Sequence, residues 1–389
     1  MNNINSAATT SRLLKNYARY EIDFSHGEGV FLYDRDGNKY LDFLCGIAVT
    51  SFGHNHPVIK AAVKEQIDKL WHLSNLFYSH LQEELAFKLA SQTGHDFVFF
   101  SNSGTEANEA AIKFTRKWGD GRYGIISTQK SFHGRTMGAV SASGQEKLWK
   151  GFYPLLEGFN YVPFNDLAAM KAAVNENTAA IIIEPIQGEG GVAVATDEYL
   201  NGLRELCDEH NILLIFDEIQ CGMGRTGKLY AHQWAGVVPD ILSSAKGIAN
   251  GLPLGATFCN KPVGEVITPG SHGTTFGGNP VALASALAVV DLLTPEMLAK
   301  ISNDGIYLMD LLKNLNSEYI AEIRGKGLMI GVEFVKAINP KDVLKKLMER
   351  KILSTVAGDT VLRILPPFIA EKEHFDFYAE NLDAVLKEF

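Results

Sequence analysis

Three consecutive segments decide the fold: AAIIIEPIQ (179–187), TDEYLNGLRELCDEHN (196–211) and ILLIFDEIQ (212–220). The first and third are continuous apolar runs, which is typical of strands buried on both faces of a sheet. The middle segment begins with Thr196, a good helix N-cap, and places apolar side chains on one helical face: Tyr199, Leu203, Leu206 and Cys207. This strand–helix–strand order predicts an α/β fold with a mostly parallel sheet covered by helices.

Further elements extend the pattern on both sides. HDFVFFSNS (95–103) predicts another strand, and VFLYDRDGNKYLDF (30–43) predicts a hairpin that turns at Asp36-Gly37. From about residue 290 the chain mixes helices with short strands, including VLRILPP (361–367), and ends in a helix. We therefore expect an N-terminal segment that joins a small domain, a large central domain, and the rest of the small α+β domain: 1–50, 51–290 and 291–389.

Composition excludes several classes of protein. The 389 residues include 36 Lys and Arg against 45 Asp and Glu, a net charge of -9, and they contain no basic tract. This charge argues against nucleic acid or an anionic membrane as a partner. The four cysteines form no CxxC pair, which is typical of a reduced intracellular protein. Because the N-terminus lacks an apolar signal core and no apolar run could span a bilayer, we expect a cytoplasmic protein.

One glycine-rich motif suggests a different function. GMGRTGK (222–228) fits both G-x-G-x-x-G and G-x-x-x-x-G-K, so a nucleotide-binding protein is the rival hypothesis. A phosphate loop, however, needs Ser or Thr after the lysine, where this chain has Leu229. It should also open directly into a helix, whereas the following LYAHQWAGVVPD is a poor helix with Gly236 and Pro239. We therefore interpret the motif as a glycine-rich turn or active-site loop.

A pair of histidines in GHNHP suggests metal binding. His54 and His56 are spaced i, i+2, and no nearby Cys or Glu completes a ligand set. Structural and catalytic metal sites need three or four converging ligands. The sequence therefore predicts no metal site, and these histidines are interpreted as residues of a turn or a helix start.

A lone lysine indicates covalent chemistry. In SSAKGIANGLPLG (243–255), Lys246 is the only charged residue among small and apolar neighbours. Removing an ammonium group from water lowers its pKa, and the neutral amine can attack a carbonyl carbon. The aldehyde of pyridoxal 5'-phosphate (PLP) is a suitable target, and such a site also needs a carboxylate for the ring nitrogen, a phosphate cradle and a stacking side chain.

Candidates for each of these groups occur in the chain. Asp217 ends an apolar strand, where it would face the ligand crevice of an open α/β sheet. The amides of Gly104 and Thr105 stand at the start of a predicted helix, which is a natural anion site. Phe132 is suited to stacking on a ring and Arg135 to binding a carboxylate with two hydrogen bonds. HGTTFGGNP (272–280) adds a second cluster of hydroxyls and glycines.

Together these motifs resemble one family. The order SNSGTEANEAAIK, FHGRTMGA, EPIQGEGGV, FDEIQCGMGRTG, SAKGIANGLPLGA and HGTTFGGNP is similar to that of class III (ω-amino) PLP-dependent aminotransferases, from the hairpin to LRILPP. The resemblance implies fold type I, a homodimer with shared active sites, and amino acid and 2-oxo acid substrates. GEGVFLYDRDGNKYLDFLCGIAV and SNSGTEANEAAIKFTRKW favour the subgroup that acts on N²-acetylornithine in arginine biosynthesis.

The resemblance also implies roles at the cofactor. Lys246 binds the cofactor aldehyde and then moves the proton between the substrate carbon and the cofactor. Asp217 pairs with the ring nitrogen, Gln220 approaches the ring's phenolic oxygen, and Phe132 lies against one ring face. The remaining expected cofactor contacts are the phosphate-binding Gly104 and Thr105, the motif neighbours Glu218 and Ile219, and Thr275, which reaches the phosphate of the neighbouring subunit.

The substrate residues follow in the same way. Arg135 matches the arginine that grips the carboxylate distant from the reacting amine, and Thr274 is expected nearby. Arg363 matches the arginine that receives the α-carboxylate of glutamate, and Glu189 matches the glutamate that covers it when an ω-amine is bound. Ile47 stands where ornithine-specific enzymes tend to have tyrosine, which favours an acylated substrate. Succinyl-diaminopimelate, ornithine and 4-aminobutyrate are the alternative amines, and an aminomutase is the alternative relative.

Overall fold

The computed structural model describes residues 12–389, so residues 1–11 of the predicted N-terminal segment, including most of the stretch judged to lack a signal core, lie outside the described residues. The strands are β1 (Phe24–Glu28), β2 (Phe31–Asp34), β3 (Lys39–Asp42), β4 (Phe97–Ser101), β5 (Gly124–Thr128), β6 (Phe159–Val162), β7 (Thr178–Ile183), β8 (Ile186–Gln187), β9 (Ala193–Val194), β10 (Leu213–Asp217), β11 (Ile241–Ser244), β12 (Gly255–Cys259), β13 (Ile320–Lys326), β14 (Met329–Phe334), β15 (Ile352–Leu353), β16 (Thr355–Ala357) and β17 (Val361–Ile364).

The helices alternate with these strands in the central part of the chain and dominate its last third. They are α1 (Cys45–Ala48), α2 (Pro57–Ile67), α3 (His80–Thr93), α4 (Gly104–Trp118), α5 (Met137–Ala142), α6 (Glu146–Trp149), α7 (Leu167–Ala173), α8 (Asp197–His210), α9 (Lys261–Val266), α10 (Pro280–Leu292), α11 (Pro295–Lys313), α12 (Pro340–Glu349) and α13 (Lys372–Leu386). Two short 3₁₀ segments span Ala231–Trp234 and Lys246–Ala249.

A seven-stranded sheet forms the centre of the molecule, in the order β4-β12-β11-β10-β7-β5-β6. The strands β11, β10, β7, β5 and β6 are mutually parallel. Only β12 runs antiparallel to its neighbours β11 and β4, so β4 points the same way as the parallel strands. The predicted mostly parallel sheet is therefore confirmed, and its strands end at a common edge.

The alternation of side chains along the central strands creates two cores. Ile181 and Ile183 of β7 belong to one buried apolar cluster with the apolar face of α8, whereas Ile182 belongs to a second cluster that includes residues of α4. Successive side chains of a strand point to opposite faces, so each face of the sheet buries its own layer of helices. The predicted cap and face of α8 are confirmed, because Thr196 Oγ1 accepts a hydrogen bond from the Tyr199 amide at 3.1 Å.

Two smaller sheets flank the central one. The hairpin predicted at Asp36-Gly37 is confirmed as the antiparallel pair β2–β3, and β3 pairs in parallel with β15 from the C-terminal part of the chain. The other sheet has the order β13-β14-β17-β16. Because β15 continues the N-terminal sheet, the first strands lie beside the C-terminal α+β region, while the division at 1–50, 51–290 and 291–389 stays a prediction.

The glycine-rich motif 222–228 is an internal turn. The amides of Gly224, Arg225 and Gly227 donate to carbonyls of the same turn or of Leu229, so they are not open to a phosphate. The Arg225 side chain is fully buried and donates to the carbonyls of Leu328 and Pro366. Burial lowers the pKa of Arg225 to about 10. The motif thus ties the central sheet to the C-terminal region.

Within residues 12–389, no single helix has both the length and the apolarity to cross a membrane. The helices α10 and α11 reach that length only together, as a pair bent by 76°.

Candidate active site

The carboxyl ends of the parallel strands surround a cavity of about 250 Å³. Loops that follow β4, β5, β7, β10 and β11 all contribute to it, because parallel strands end at the same edge of their sheet. The cavity is lined by Gly104, Thr105, Phe132, His133, Gly134, Arg135, Glu184, Asp217, Ile219, Gln220 and Lys246. The structure therefore brings together eight of the residues expected at the cofactor or substrate: Gly104, Thr105, Phe132, Arg135, Asp217, Ile219, Gln220 and Lys246.

Lys246 stands just beyond the end of β11 in a left-handed backbone conformation with φ of 47°. Its amine makes no hydrogen bond or ion pair with any residue in the described range 12–389. Burial lowers the pKa of the Lys246 amine, and the positive charge of Arg363 lowers it further. A larger fraction of the amine is therefore neutral and nucleophilic than in an exposed lysine.

Asp217 is held as a carboxylate acceptor at the end of β10. Its Oδ2 accepts hydrogen bonds from Asn108 Nδ2 and from His133 Nδ1, both at 2.7 Å, and its Oδ1 accepts one from the Ile219 amide at 3.0 Å. The same Asn108 amide group donates to the His133 carbonyl at 2.7 Å. These donors fix the orientation of the Asp217 carboxylate in the cavity wall.

The first turn of α4 forms another part of the cavity wall, through Gly104 and Thr105. Ser103 caps the helix by accepting from the Glu106 amide at 3.3 Å, which leaves the Gly104 and Thr105 amides directed outward. Thr105 Oγ1 is 2.8 Å from Thr136 Oγ1. A Cβ at Gly134, whose φ is +138°, would lie 2.2 Å from Thr105 Oγ1, so glycine is needed there. Free amides and the dipole of a 15-residue helix make this end an anion site.

Phe132 and Arg135 lie on neighbouring walls of the cavity. The guanidinium carbon of Arg135 is 5.6 Å from the centre of the Phe132 ring. Arg135 is exposed and has no acidic partner within residues 12–389. An unpaired guanidinium at the mouth of a cavity is suited to binding a carboxylate with two hydrogen bonds.

Glu184 adds a second buried carboxyl group to the cavity wall. It follows β7 and accepts hydrogen bonds from the Phe132 amide at 2.9 Å and the Gly188 amide at 3.2 Å. Burial raises the pKa of Glu184 to about 7, and the nearby Asp217 carboxylate contributes to the rise while His133 opposes it. Glu184 therefore changes its charge near neutral pH.

A chain of polar contacts leads from this cavity to a larger cleft. Arg363 is buried on β17, and its Nη1 donates to Glu189 Oε1 at 2.7 Å and to Gln220 Oε1 at 2.9 Å. Its buried Nε has no hydrogen-bond partner in the described part of the chain. Burial alone would raise the pKa of Glu189, but the positive charge of Arg363 and its hydrogen bond outweigh burial and lower this pKa. Glu189 lines a cleft of about 840 Å³ that also borders Arg324.

Besides Glu189 and Arg363, four expected site residues do not line the cofactor cavity. The Glu218 carboxylate accepts hydrogen bonds from the Ala231 and His232 amides and from the His232 ring, so its side chain points away from the cavity, and its expected cofactor contact stays a prediction. Consecutive strand residues point in opposite directions, which separates Glu218 from Asp217. The roles of the other three stay predictions: Ile47, Thr274 and Thr275.

The surroundings of these three differ. Thr274 Oγ1 accepts from Asn102 Nδ2 at 3.1 Å and from the Gly277 amide at 3.2 Å. Thr275 is exposed. Ile47 has φ of 67°, and its neighbours Cys45, Gly46 and Ala48 also have positive φ. A β-branched residue in this region is strained by about 1–3 kcal/mol, and such strain concentrates at functional sites.

Sequence reasoning missed His133, Asn108 and Glu184. The first two lie inside motifs that were singled out for other residues, FHGRTMGA and SNSGTEANEAAIK. Glu184 had a detectable signal, because it follows an apolar strand in the same way that Asp217 ends one. The structure aligns Ile183 with Phe216, so the next residues of the two parallel strands are neighbours.

In the described range no three His, Cys, Asp or Glu side chains form a metal-binding group.

Replacing Glu184 tests its titration. The folded-state pKa of about 7 lies above the ordinary 4.5, so the folded protein binds the proton more tightly than the unfolded chain. The free energy of unfolding should therefore fall as the pH rises from about 4.5 to about 7, and this contribution should level off above that range. In Glu184→Gln this fall should disappear, so that the variant gains stability relative to the wild type with increasing pH. Urea unfolding of the ligand-free proteins measures the difference.

The exposed Glu205 provides the matched control. Glu205→Gln should leave the pH dependence parallel to that of the wild type. A stability difference between Glu184→Gln and the wild type that stays constant over this pH range would show that Glu184 is ionised throughout.

Comparison with known proteins identifies the family. The aminotransferase class-III family model matches residues 14–386. An acetylornithine aminotransferase from Methanocaldococcus jannaschii is 48% identical over 384 residues, covering 96% of both chains. Another from Bacillus subtilis is 45% identical over 366 residues, covering 93% of this chain and 94% of the relative.

Solved structures give the same result. The ornithine aminotransferase of Toxoplasma gondii superposes with a TM-score of 0.93 at 35% identity, covering 97% of this chain and 93% of that one. The N-acetylornithine aminotransferase of Stenotrophomonas maltophilia superposes with a TM-score of 0.84 at 36% identity, covering 96% of this chain and 97% of that one. Family model, sequence relatives and fold therefore agree: the chain belongs to the class III aminotransferases, and is an enzyme of that family.

Proposed function

We propose that the protein is a PLP-dependent transaminase that moves the δ-amino group of N²-acetylornithine to 2-oxoglutarate, giving N-acetylglutamate 5-semialdehyde and glutamate. The observation that carries this proposal is the Glu189–Arg363 ion pair, 2.7 Å long, beside the cavity of Lys246. An arginine that can be covered and uncovered suits an enzyme that takes an ω-amine in one half-reaction and glutamate in the other. The names of the relatives at 45–48% identity support the same amine.

The residues around the cavity fit PLP. The outward amides of Gly104 and Thr105 would hold its phosphate, and the fixed Asp217 carboxylate would accept a hydrogen bond from its ring nitrogen. Phe132 would cover one ring face, and Gln220, whose Oε1 is taken by Arg363, has its amide NH₂ left to donate to the ring oxygen. When bound, PLP supplies an aldehyde that takes up the amino group and a ring that accepts the electron pair of the substrate carbon.

Lys246 supplies the amine that reacts and the base that moves protons. Its neutral form, favoured by burial and by the nearby Arg363, can attack a carbonyl carbon. With a substrate in the cavity, the Lys246 Nζ would take a proton from the substrate carbon and return it, because no other residue in the range 12–389 binds that atom. Asp217, held by His133 Nδ1 at 2.7 Å, keeps its position in the cavity wall while this proton moves.

Two arginines divide the recognition of substrate carboxylates. Arg135, which has no acidic partner in residues 12–389, would bind the carboxylate far from the reacting amine. Arg363 has an unpartnered Nε and would bind the α-carboxylate of glutamate once Glu189 moves aside. With acetylornithine, Glu189 stays in place and neutralises Arg363. Ile47 offers no hydroxyl to a free α-amino group, which favours the acylated amine over ornithine.

We also propose that the enzyme works as a homodimer. Exposed large apolar side chains occur in segment 71–78 and in the adjoining loop, where the Phe276 ring lies 5.4 Å from the His72 ring; we call them the apolar face: Trp71, Leu76, Phe77, Tyr78 and Phe276. Leu76 is 88% exposed and Tyr78 is 96% exposed. Asn75 Nδ2 donates to the carbonyls of Thr274 and Gly277, which fixes the loop bearing Thr275 beside this face. A second copy covering the face would bring Thr275 to its partner's phosphate site.

Steady-state assays test the proposed amine. With 2-oxoglutarate as acceptor, kcat/KM for N²-acetylornithine should exceed that for ornithine by about tenfold or more, which corresponds to about 1.4 kcal/mol of transition-state binding. Succinyl-diaminopimelate and 4-aminobutyrate complete the comparison. Ornithine as the better donor by the same margin would overturn the role of Ile47.

Lys246→Ala is the control for the chemistry. The variant should lose turnover with every donor and also the yellow absorbance of the enzyme loaded with PLP. Retention of that absorbance would show that another amine binds the cofactor.

Arg363→Ala tests whether Arg363 binds substrate in the glutamate half-reaction but not in the acetylornithine half-reaction. The glutamate half-reaction should lose about 100-fold in kcat/KM, because its α-carboxylate loses a charged partner, while the acetylornithine half-reaction should lose less than about tenfold. Single-turnover absorbance changes of the cofactor measure each half separately. Arg350→Ala, at a partly exposed arginine, should leave both unchanged. Equal losses in both halves would refute the exchange of Glu189 for substrate.

Charges on the apolar face test the dimer. The double substitution Leu76→Glu with Tyr78→Glu should convert the enzyme to monomers in analytical ultracentrifugation, since each charge would lose its water in the interface. The monomers should also bind PLP more weakly, because they lack the partner's Thr275. Phe377→Glu, on the exposed side of α13, should leave the mass unchanged. A monomeric wild type, or a double variant that stays dimeric, would refute the assignment.

A further inference from the structure

The loop that carries Glu189 is held by three backbone contacts. This Glu189 loop, residues 188–191, joins the short antiparallel strands β8 and β9. Glu184 accepts from the Gly188 amide at 3.2 Å, and the Gly358 amide donates to the Glu189 carbonyl at 2.9 Å. At the far end, Arg324 Nε and Nη2 donate to the Gly191 carbonyl at 3.0 and 2.7 Å.

Arg324 is itself fixed by acidic neighbours. Its Nη1 donates to Glu322 Oε2 at 2.6 Å and also to Glu333 Oε2. Glu333 Oε1 accepts from Thr360 Oγ1 at 3.1 Å. The hydrogen bond from Arg324 lowers the pKa of Glu333, which keeps this partner charged. The guanidinium therefore has one edge on the carboxylates and the other on the Gly191 carbonyl.

Strand register places Arg324 and Arg363 in one row. In the sheet β13-β14-β17-β16, Arg324 lies opposite Gly331, and Gly331 lies opposite Arg363. Directly opposed residues project to the same face of a sheet. Gly331 leaves a gap between the two arginines, and a Cβ there would lie 2.9 Å from Val192 Cβ. The Glu189 loop and the residue after it thus lie over Gly331, between the two guanidinium groups.

We propose that Arg324 is a positioning residue for the Glu189–Arg363 ion pair: it clamps the Gly191 carbonyl, so that Glu189 leaves Arg363 by side-chain rotation over a fixed backbone. This inference rests on the proposed function. One arginine of the row holds the loop backbone, and the other holds the Glu189 carboxylate. An ion pair at this burial depends on accurate geometry, so a loosened loop covers Arg363 less well.

The clamp has a consequence for specificity. When Glu189 covers Arg363 poorly, the α-carboxylate of an ω-amine substrate can bind Arg363 in an unproductive orientation. Glutamate, which needs Arg363 uncovered, does not suffer from the same change. Loss of the clamp should therefore lower the ratio of kcat/KM for the ω-amine half-reaction to kcat/KM for the glutamate half-reaction.

Arg324→Lys tests this ratio in the PLP-loaded enzyme. Lysine keeps the charge facing the two glutamates but cannot place two donors on the Gly191 carbonyl. The ratio, measured by single-turnover absorbance, should fall about tenfold. Glu322→Gln is the matched control, because Glu322 is the more exposed of the two carboxylates, at 56% against 32% for Glu333, and Glu333 still holds the guanidinium on the Gly191 carbonyl; its ratio should stay within about twofold of wild type.

A double-substitution cycle separates positioning from general damage. In a Glu189→Gln background the ion pair is already weakened, so adding Arg324→Lys should change the ratio no further. The same tenfold fall in both backgrounds would overturn the proposal, as would a wild-type ratio in Arg324→Lys. If Arg324→Lys does not fold, Glu333→Gln loosens the same guanidinium, and it should lower the ratio in the same direction; an unchanged ratio there also overturns the proposal.

The role of Arg324 and the proposed substrate can be refuted by different results. The ratio is taken with whichever ω-amine the wild type uses best, so a different preferred amine refutes the acetylornithine assignment and leaves the role of Arg324 measurable. If Arg363→Ala damages both half-reactions equally, the exchange of Glu189 is refuted, and with it the need for a clamp.

Discussion

The site depends on one constraint, the parallel alignment of the central strands. Because β5, β7, β10 and β11 run the same way, the residues that follow them meet at one edge of the sheet. The alignment of Ile183 with Phe216 makes Glu184 and Asp217 neighbours, and Lys246 follows the next strand. The two apolar cores that hold these strands in place therefore also fix the distances between the reactive groups.

The charged groups in and beside the cavity differ in whether they have hydrogen-bond partners. Asp217 and Glu189 have fixed donors, whereas the Lys246 amine has none in the range 12–389 and its pKa is lowered. Transfer of such groups from water is costly, and donors that are already oriented lower the cost of changing charge during reaction. The cavity of Lys246 lies at the edge of the central sheet, whereas Arg324 and Arg363 lie on the C-terminal sheet, where Gly331 separates them. The hydrogen bond from Arg363 to Gln220 joins the C-terminal sheet to the cavity.

Much of the fold could be predicted from local sequence. The apolar runs of β7 and β10, the face and cap of α8, and the β2–β3 hairpin were all confirmed, because periodicity and turn residues act over a few positions. Lys246 could be singled out because it is a lone charge in apolar surroundings, and Asp217 because it ends an apolar strand. The resemblance of the motifs to class III aminotransferases was also confirmed.

Tertiary structure decided which distant residues meet, which local sequence patterns cannot predict. The sequence could not show that Glu218 faces away from its neighbour Asp217, since that depends on which face of the strand borders the cavity. It could not join His133 to Asp217, 84 residues away, or show that the amides of the 222–228 turn are already hydrogen-bonded. The sequence by itself therefore determined many of the elements, the lone Lys246 among apolar neighbours, and the family. The folded chain decided which polar groups meet, because hydrogen bonds and ion pairs need distances of a few ångströms that only long-range packing sets.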